Sequence, residues 1–274
     1  MASFSRILDF KLNLLARLRD QRKEVRYRTG ADFALQAAVV FDDLSWSGRV
    51  TDVSANGLSF RLPLASAARR GHATQVRLVL EGRELVVPGT VAHHRATPTY
   101  ALCGLRLEFH DFAVQKSWMQ IVEAVNLGTS FKPADAPRIS LGLARRQWRS
   151  LRHTRLTEWR ETGTRKIERF EFVLAEHAVE ARRDEPGLTI SPVADRAKSA
   201  SGPVSAEVRQ FFLWVLANFP ASAAVPADLR EFMRNAAAGS PRPGGTGACS
   251  PASTVAAPGR WAPPAKPAKG RNTA

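Results

Sequence analysis

Apolar positions along the chain change their period several times. Between residues 4 and 19, Phe4, Ile7, Leu8, Leu12, Leu15 and Leu18 recur at helical spacing on one stripe, which predicts an amphipathic helix within residues 1–20. From residue 33 the period shortens to two. Strands are expected over 33–41, 46–52, 57–62, 75–80, 84–91 and 100–109, parted by turn-forming runs such as Asp42-Asp43 and Glu81-Gly82. Short strands in such close succession predict a six-stranded antiparallel β-barrel, because closure leaves no strand edge exposed. Helical spacing returns over 114–127, with Trp118, Ile121, Val122 and Val125 on the side that packs against the barrel.

Beyond the boundary Lys132-Pro-Ala-Asp-Ala-Pro137 the pattern again reads as helical. A basic helix is expected over 141–159, with Leu141, Ala144, Trp148, Leu151 and Trp159 on its apolar side. A mixed-charge helix is expected over 166–183, carrying Ile167, Phe170, Val173, Leu174 and Ala178. A linker follows over 186–203. Two more helices are predicted, one over 204–219 and a short one over 226–234 that opens with Pro226. The expected fold is therefore mainly β: an N-terminal helix over 1–20, a barrel with its packed helix over 21–128, and a largely α-helical, Arg-rich extension over 138–238. Residues 239–274 are rich in Pro, Gly and Ala, basic and without apolar periodicity, and are expected to be disordered.

Charge narrows the partners. Forty Lys and Arg against 25 Asp and Glu give a formal net charge of +15, which favours an anionic partner: nucleic acid, acidic lipid or a phosphorylated small molecule. The two cysteines, Cys103 and Cys249, offer neither a disulfide framework nor a metal-binding spacing. Asp9 and Lys11 interrupt the first apolar run, so no secretory signal is expected, and no apolar run is long enough for a membrane span. A cytoplasmic location is the expectation, with peripheral contact at the inner membrane as its variant.

The sharpest chemistry lies in two pieces. Arg22-Lys-Glu-Val-Arg26 precedes the first barrel strand, and Asp52-Val-Ser-Ala-Asn-Gly57 occupies the corner between the second and third. One strand and its return separate them, so a hairpin brings them together. Arg22 and Arg26 suit phosphate and the face or edge of a purine. Asp52 can accept from a guanine N1/N2 edge, Ser54 can donate or accept beside it, and Gly57 permits a tight corner or close backbone approach. Taken singly, each piece is equally an ordinary turn or a solvated basic arm.

Together, Arg22-x-x-x-Arg26, Asp52-x-Ser54-x-x-Gly57, the flanking run 21–27 and Cys103-Gly-Leu-Arg-Leu-Glu-Phe109 resemble the PilZ domain family. The resemblance implies a six-stranded barrel that binds the second messenger cyclic di-GMP, with the paired arginines on an arm wrapping over the ligand and the Asp-x-Ser-x-x-Gly residues beneath it. It covers residues 21–127. The order of barrel and Arg-rich extension is also similar to the C-terminal region of bacterial cellulose synthase catalytic subunits, without their glycosyltransferase core or membrane spans.

Other constellations are weak. His93 and His94 are adjacent and should face opposite sides of a strand, the remaining histidines lack metal-ligand spacing, and no nucleophile elbow, Walker motif or dinucleotide fingerprint occurs. The reading is a non-enzymatic receptor without cofactor or metal, whose regulatory ligand is cyclic di-GMP and whose helical half meets a protein partner. Acidic membrane is a further contact, and nucleic acid ranks below it. The alternative is a basic adaptor that holds a polyanion without recognising guanine.

Overall fold

The computed structural model describes residues 25–41, 43–194, 203–220 and 224–239. The predicted helix over 1–20, Arg22 and the tail over 240–274 lie outside the described residues.

Strict alternation of buried and exposed positions builds the barrel. In β5 (Ala73–Leu80), Thr74, Val76, Leu78 and Leu80 point inward while their neighbours face out. The same logic places β2 (Gln36–Phe41), β3 (Leu44–Ser54), β4 (Gly57–Leu62), β6 (Arg83–Ala96) and β7 (Ala101–Leu107). The order β3-β2-β5-β6-β7-β4 is antiparallel throughout, and β4 pairs back onto β3 to close the ring. The barrel predicted from sequence is thus present. A two-residue strand, β1 (Tyr27–Arg28), lies against β3 and brings the arm onto the barrel wall, with Arg28 opposite Asp52.

Helix α1 (Phe112–Thr129) follows β7 and starts where the Asp111 carboxylate accepts from the Ala113 and Val114 N–H groups. Trp118, Ile121, Val122 and Val125 are all buried, as their spacing predicts.

The second half departs from expectation. Residues 138–194, expected to be largely helical, form a second antiparallel sheet. Its strands are β8 (Lys132–Pro133), β9 (Arg138–Ser140), β10 (Leu143–Arg149), β11 (Arg155–Glu161), β12 (Ile167–Leu174), β13 (His177–Arg182) and β14 (Thr189–Pro192). The order is β14-β13-β12-β11-β10-β8, with β9 also on β10. The expected helix over 141–159 is a hairpin turning at residues 151–153, and that over 166–183 is another turning at Ala175. Trp148, Leu156, Phe172, Val179 and Ile190 lie opposite one another across five strands, a buried row that only strand pairing assembles. Part of the expected linker, 189–192, supplies β14.

The last two helices occur where predicted: α2 (Pro203–Ala217), expected over 204–219, and α3 (Ala227–Ala238), expected over 226–234 and running four residues further before its cap Gly239 at φ 67°. They cover the apolar face of the second sheet. Phe212 of α2 stacks on Phe170 and meets Phe172 edge-on, while Phe232 of α3 meets Phe170 edge-on. Buried Glu158 of β11 and exposed Asp228 of α3 both pair with Arg160, tying β11 to the helix, and the Arg160 guanidinium holds the Asp228 carboxyl below its ordinary pKa. The end of α2 also grips the chain leading from the arm. Buried Asn218 accepts from the Gly30 N–H at 2.8 Å and donates to the Trp214 carbonyl at 2.8 Å.

Candidate functional site

The hairpin geometry expected from the motif spacing is met on the outer barrel wall. The Arg26 guanidinium donates to the Asp52 carboxylate at 3.2 Å and to the Ser59 hydroxyl at 3.0 Å. Asp52 also accepts from the Thr51 hydroxyl at 3.2 Å. The register explains the grouping: Asp52 of β3 lies opposite Ser59 of β4, Ser59 opposite Gly104 of β7, and Gly104 opposite His93 of β6. These four residues form one row across four strands, with Arg26 lying over it.

Two glycines at this wall, Gly104 in the row and Gly57 at the corner beside it, are needed because a side chain would not fit. A Cβ at Gly104 would stand 1.9 Å from the His93 ring, so the imidazole lies directly on the β7 backbone. A Cβ at Gly57 would stand 2.5 Å from the Leu105 carbonyl oxygen, a backbone atom that cannot swing away. Gly57 thus lets the corner sit against β7.

Ser54 takes a different place from the surface contact its motif suggests. It is buried, and its hydroxyl donates to the Gly57 carbonyl at 3.2 Å, locking the corner from within. From α1, the Trp118 indole N–H donates to the Ser54 and Ala55 carbonyls, each at 3.1 Å. Arg26 and Asp52 are therefore brought together, Ser54 and Gly57 shape the corner beside them, and Arg22 lies outside the described residues. Sequence reasoning missed Ser59, His93 and Gly104. Ser59 occupies an outward position in an alternating strand, the one signal available. His93 and Gly104 become neighbours only through register, which slips by a bulge between Val91 and His93.

Electrostatics set the protonation of this wall. Partial burial lowers the His93 pKa, nearby Arg26 lowers it further, and Asp52 opposes both. Burial likewise lowers the pKa of His177. A histidine that resists protonation when folded contributes stability above the unfolded value of about 6.5 and loses it as pH falls below that value. The melting temperature is expected to fall from pH 7.5 to 5.5, and His93→Gln or His177→Gln should each flatten that slope in thermal scans. An unchanged slope in both variants would contradict the assignment. Cys103 lies inside the barrel, and burial pushes its thiol up to about 12, so it is not a nucleophile at neutral pH. Among the described residues no group of three or more His, Cys, Asp or Glu is arranged to hold a metal ion.

A cleft of about 730 Å³ lies elsewhere, between α1, α2 and the turns of the second sheet. Its charges are mixed, and the cleft residues Arg152 and Glu123 pair with each other at 2.8 Å. That balance suits an anionic ligand poorly.

Residues 20–125 match the family described as the PilZ domain. This part of the chain has a PilZ-domain fold. No curated protein matches the sequence. Among solved structures, the chain is similar to the PilZ domain with c-di-GMP of YcgR from Escherichia coli, at 14% identity over 38% of this chain and 91% of that one, with a TM-score of 0.34. It is also similar to the PilZ domain of CeSA from a cellulose synthesizing bacterium, at 17% identity over 37% of this chain and 97% of that one, with a TM-score of 0.29. The PlzA protein of Borreliella burgdorferi in complex with c-di-GMP aligns over 75% of this chain and 99% of its own, at 9% identity and a TM-score of 0.31. The domain assignment rests on the family match. Among the described residues no helix is long and apolar enough to cross a membrane.

Proposed function

We propose that the PilZ domain of this chain is a receptor for cyclic di-GMP, held between Arg22 and Arg26 of the arm and the corner formed by Asp52, Ser54 and Gly57. The observation that carries this reading is the Arg26 guanidinium lying on Asp52 and Ser59, donor beside acceptor on the outer barrel wall, with Arg26 itself exposed and covering Ser59. A cyclic guanine dinucleotide has both complements: phosphates for the guanidinium and an N1/N2 donor edge for the carboxylate. Binding would exchange the Arg26–Asp52 pair for two ligand contacts, so neither group is left uncompensated. The ligand then orders the arm over itself, and the chain from that arm runs through Gly30 to Asn218, the residue directly after α2. On this reading residues 21–128 sense the nucleotide and residues 138–238 form the output surface that meets a partner. No catalytic step is involved.

Calorimetric titration tests the reading. The full chain should bind cyclic di-GMP and prefer it clearly over cyclic di-AMP, because guanine presents two adjacent donors, N1–H and N2–H, to the Asp52 carboxylate, whereas adenine sets a single N6–H donor beside an acceptor. Equal binding of both would mark a general polyanion binder. Absence of binding would leave only a basic arm beside a turn.

A further inference from the structure

The tip of the β9–β10 hairpin carries an anomaly. Leu141 and Gly142 form its two-residue turn with φ of 50° and 74°, a left-handed pair that ordinarily calls for Asn or Gly at the first position. Leu141 is 99% exposed and Ile139, two residues earlier, is 73% exposed. Neither apolar side chain gains burial in the fold, and Leu141 sits where its backbone is disfavoured.

Behind this tip stands a row of cations. Arg138, Arg145, Trp159, Arg169 and Arg182 lie opposite one another across β9, β10, β11, β12 and β13, on the sheet face away from α2 and α3. No carboxylate stands in that row itself, and at its far end Arg182 pairs with Glu185 of the following turn at 3.8 Å. The Arg169 guanidinium lies 4.0 Å from the centre of the Trp159 ring and that of Arg145 6.0 Å, so the indole holds the arginines on the face. The neighbouring turn at the same end of the sheet adds exposed Arg165 and Lys166, with Glu161 as the nearby acid. Four strand spacings of about 4.8 Å make the row roughly 19 Å long. It lies on the third residue pair behind the turn, roughly 7–10 Å from Leu141.

We propose that this end of the second sheet docks on an anionic lipid bilayer, with Leu141 and Ile139 entering the headgroup–acyl boundary and the arginine row lying at the phosphates. The depth matches: a headgroup layer is about 5–8 Å thick per leaflet, so an apolar tip that reaches its inner edge brings the row to the phosphate level. Charge and apolar exposure are both needed for such docking, and both occur here at one end of one hairpin. Single-stranded nucleic acid fits less well, because Arg169 covers a face of Trp159 on which a base would stack. The proposal stands independently of the nucleotide reading, since none of these residues belongs to the Arg26–Asp52 wall.

Vesicle sedimentation of the full chain, without nucleotide, tests it. Vesicles of phosphatidylcholine containing phosphatidylglycerol should bind the protein, pure phosphatidylcholine vesicles should not, and rising salt should weaken binding. Leu141→Asp should reduce partition about tenfold or more, and Arg138→Glu with Arg145→Glu should do the same. All three positions are exposed, so melting temperature should be unchanged in these variants. Wild-type partition in Leu141→Asp, or equal binding to neutral vesicles, would overturn the proposal. So would a single-stranded oligonucleotide that displaces the vesicles and binds Leu141→Asp at full strength, which would assign the row to nucleic acid.

Discussion

Arg26→Ala is expected to lower cyclic di-GMP affinity about tenfold to a hundredfold in calorimetric titration, while the melting temperature should stay close to wild type. The affinity change follows from a charge-assisted hydrogen bond to phosphate or base, worth roughly 1.5–3 kcal/mol, where each factor of ten is about 1.4 kcal/mol. Stability is spared because the Arg26 side chain is 44% exposed, and such surface pairs contribute little to folding. Arg22→Ala, on the same proposed arm, should behave alike. Asp52→Ala acts differently. It removes the acceptor for guanine but also frees Arg26 from its internal partner, so selectivity over cyclic di-AMP falls more than attraction to phosphate does. Raising the salt weakens the phosphate contribution in wild type and Asp52→Ala alike and leaves the difference in base selectivity. If Arg26→Ala binds as tightly as wild type, the arm is not part of the site.

How much of this was legible in the chain depends on where the turns fall. The barrel reads directly, because period-two alternation is punctuated by Asp42-Asp43 and Glu81-Gly82, residues that announce turns. Its site reads only in part. Arg26 and Asp52 stand in recognisable motifs, whereas Ser59, Gly104 and His93 join them through register across β4, β7 and β6, which no local pattern encodes. The second sheet is hidden for a local reason. Its turns place Leu141, Arg152, His153, Arg165 and Ala175 at positive φ, where Gly or Asn would have marked a reversal. Without that punctuation, 166–183 runs on as Glu, Arg and Ala among apolar residues and reads as one helix. Tertiary pairing of Phe170, Phe172 and Val179 overrides that preference. The helices expected over 204–219 and 226–234 were legible because a broad apolar stripe defines the former and Pro226 opens the latter, which continues to Gly239 without a local signal at 234.

Trp118 couples the packing of the PilZ domain to the wall proposed to hold the nucleotide, and its replacement should have the largest effect on stability. Its side chain is fully buried between α1 and the barrel, and its indole N–H satisfies two carbonyls of the Asp52–Gly57 corner, those of Ser54 and Ala55. Trp118→Ala removes the ring and leaves a cavity, at a cost of about 3–5 kcal/mol. At roughly 2–4 °C per kcal/mol for a unit of this size, the melting temperature falls by about 6–20 °C. Trp118→Phe separates the two roles. It keeps most of the buried ring but leaves both carbonyls without their donor, which costs about 1–3 kcal/mol. The corner then relaxes, and Asp52 at its start moves relative to Ser59 and Arg26. Cyclic di-GMP affinity should therefore fall in Trp118→Phe even where the protein is fully folded. Leu156→Ala, a buried change in the second sheet, should destabilise by about 2–5 kcal/mol and leave that affinity intact. Chemical denaturation paired with calorimetry on both variants decides the matter. Equal affinity in Trp118→Phe and wild type would mean that the corner holds its shape without the indole, and that α1 supports the barrel without setting its ligand wall.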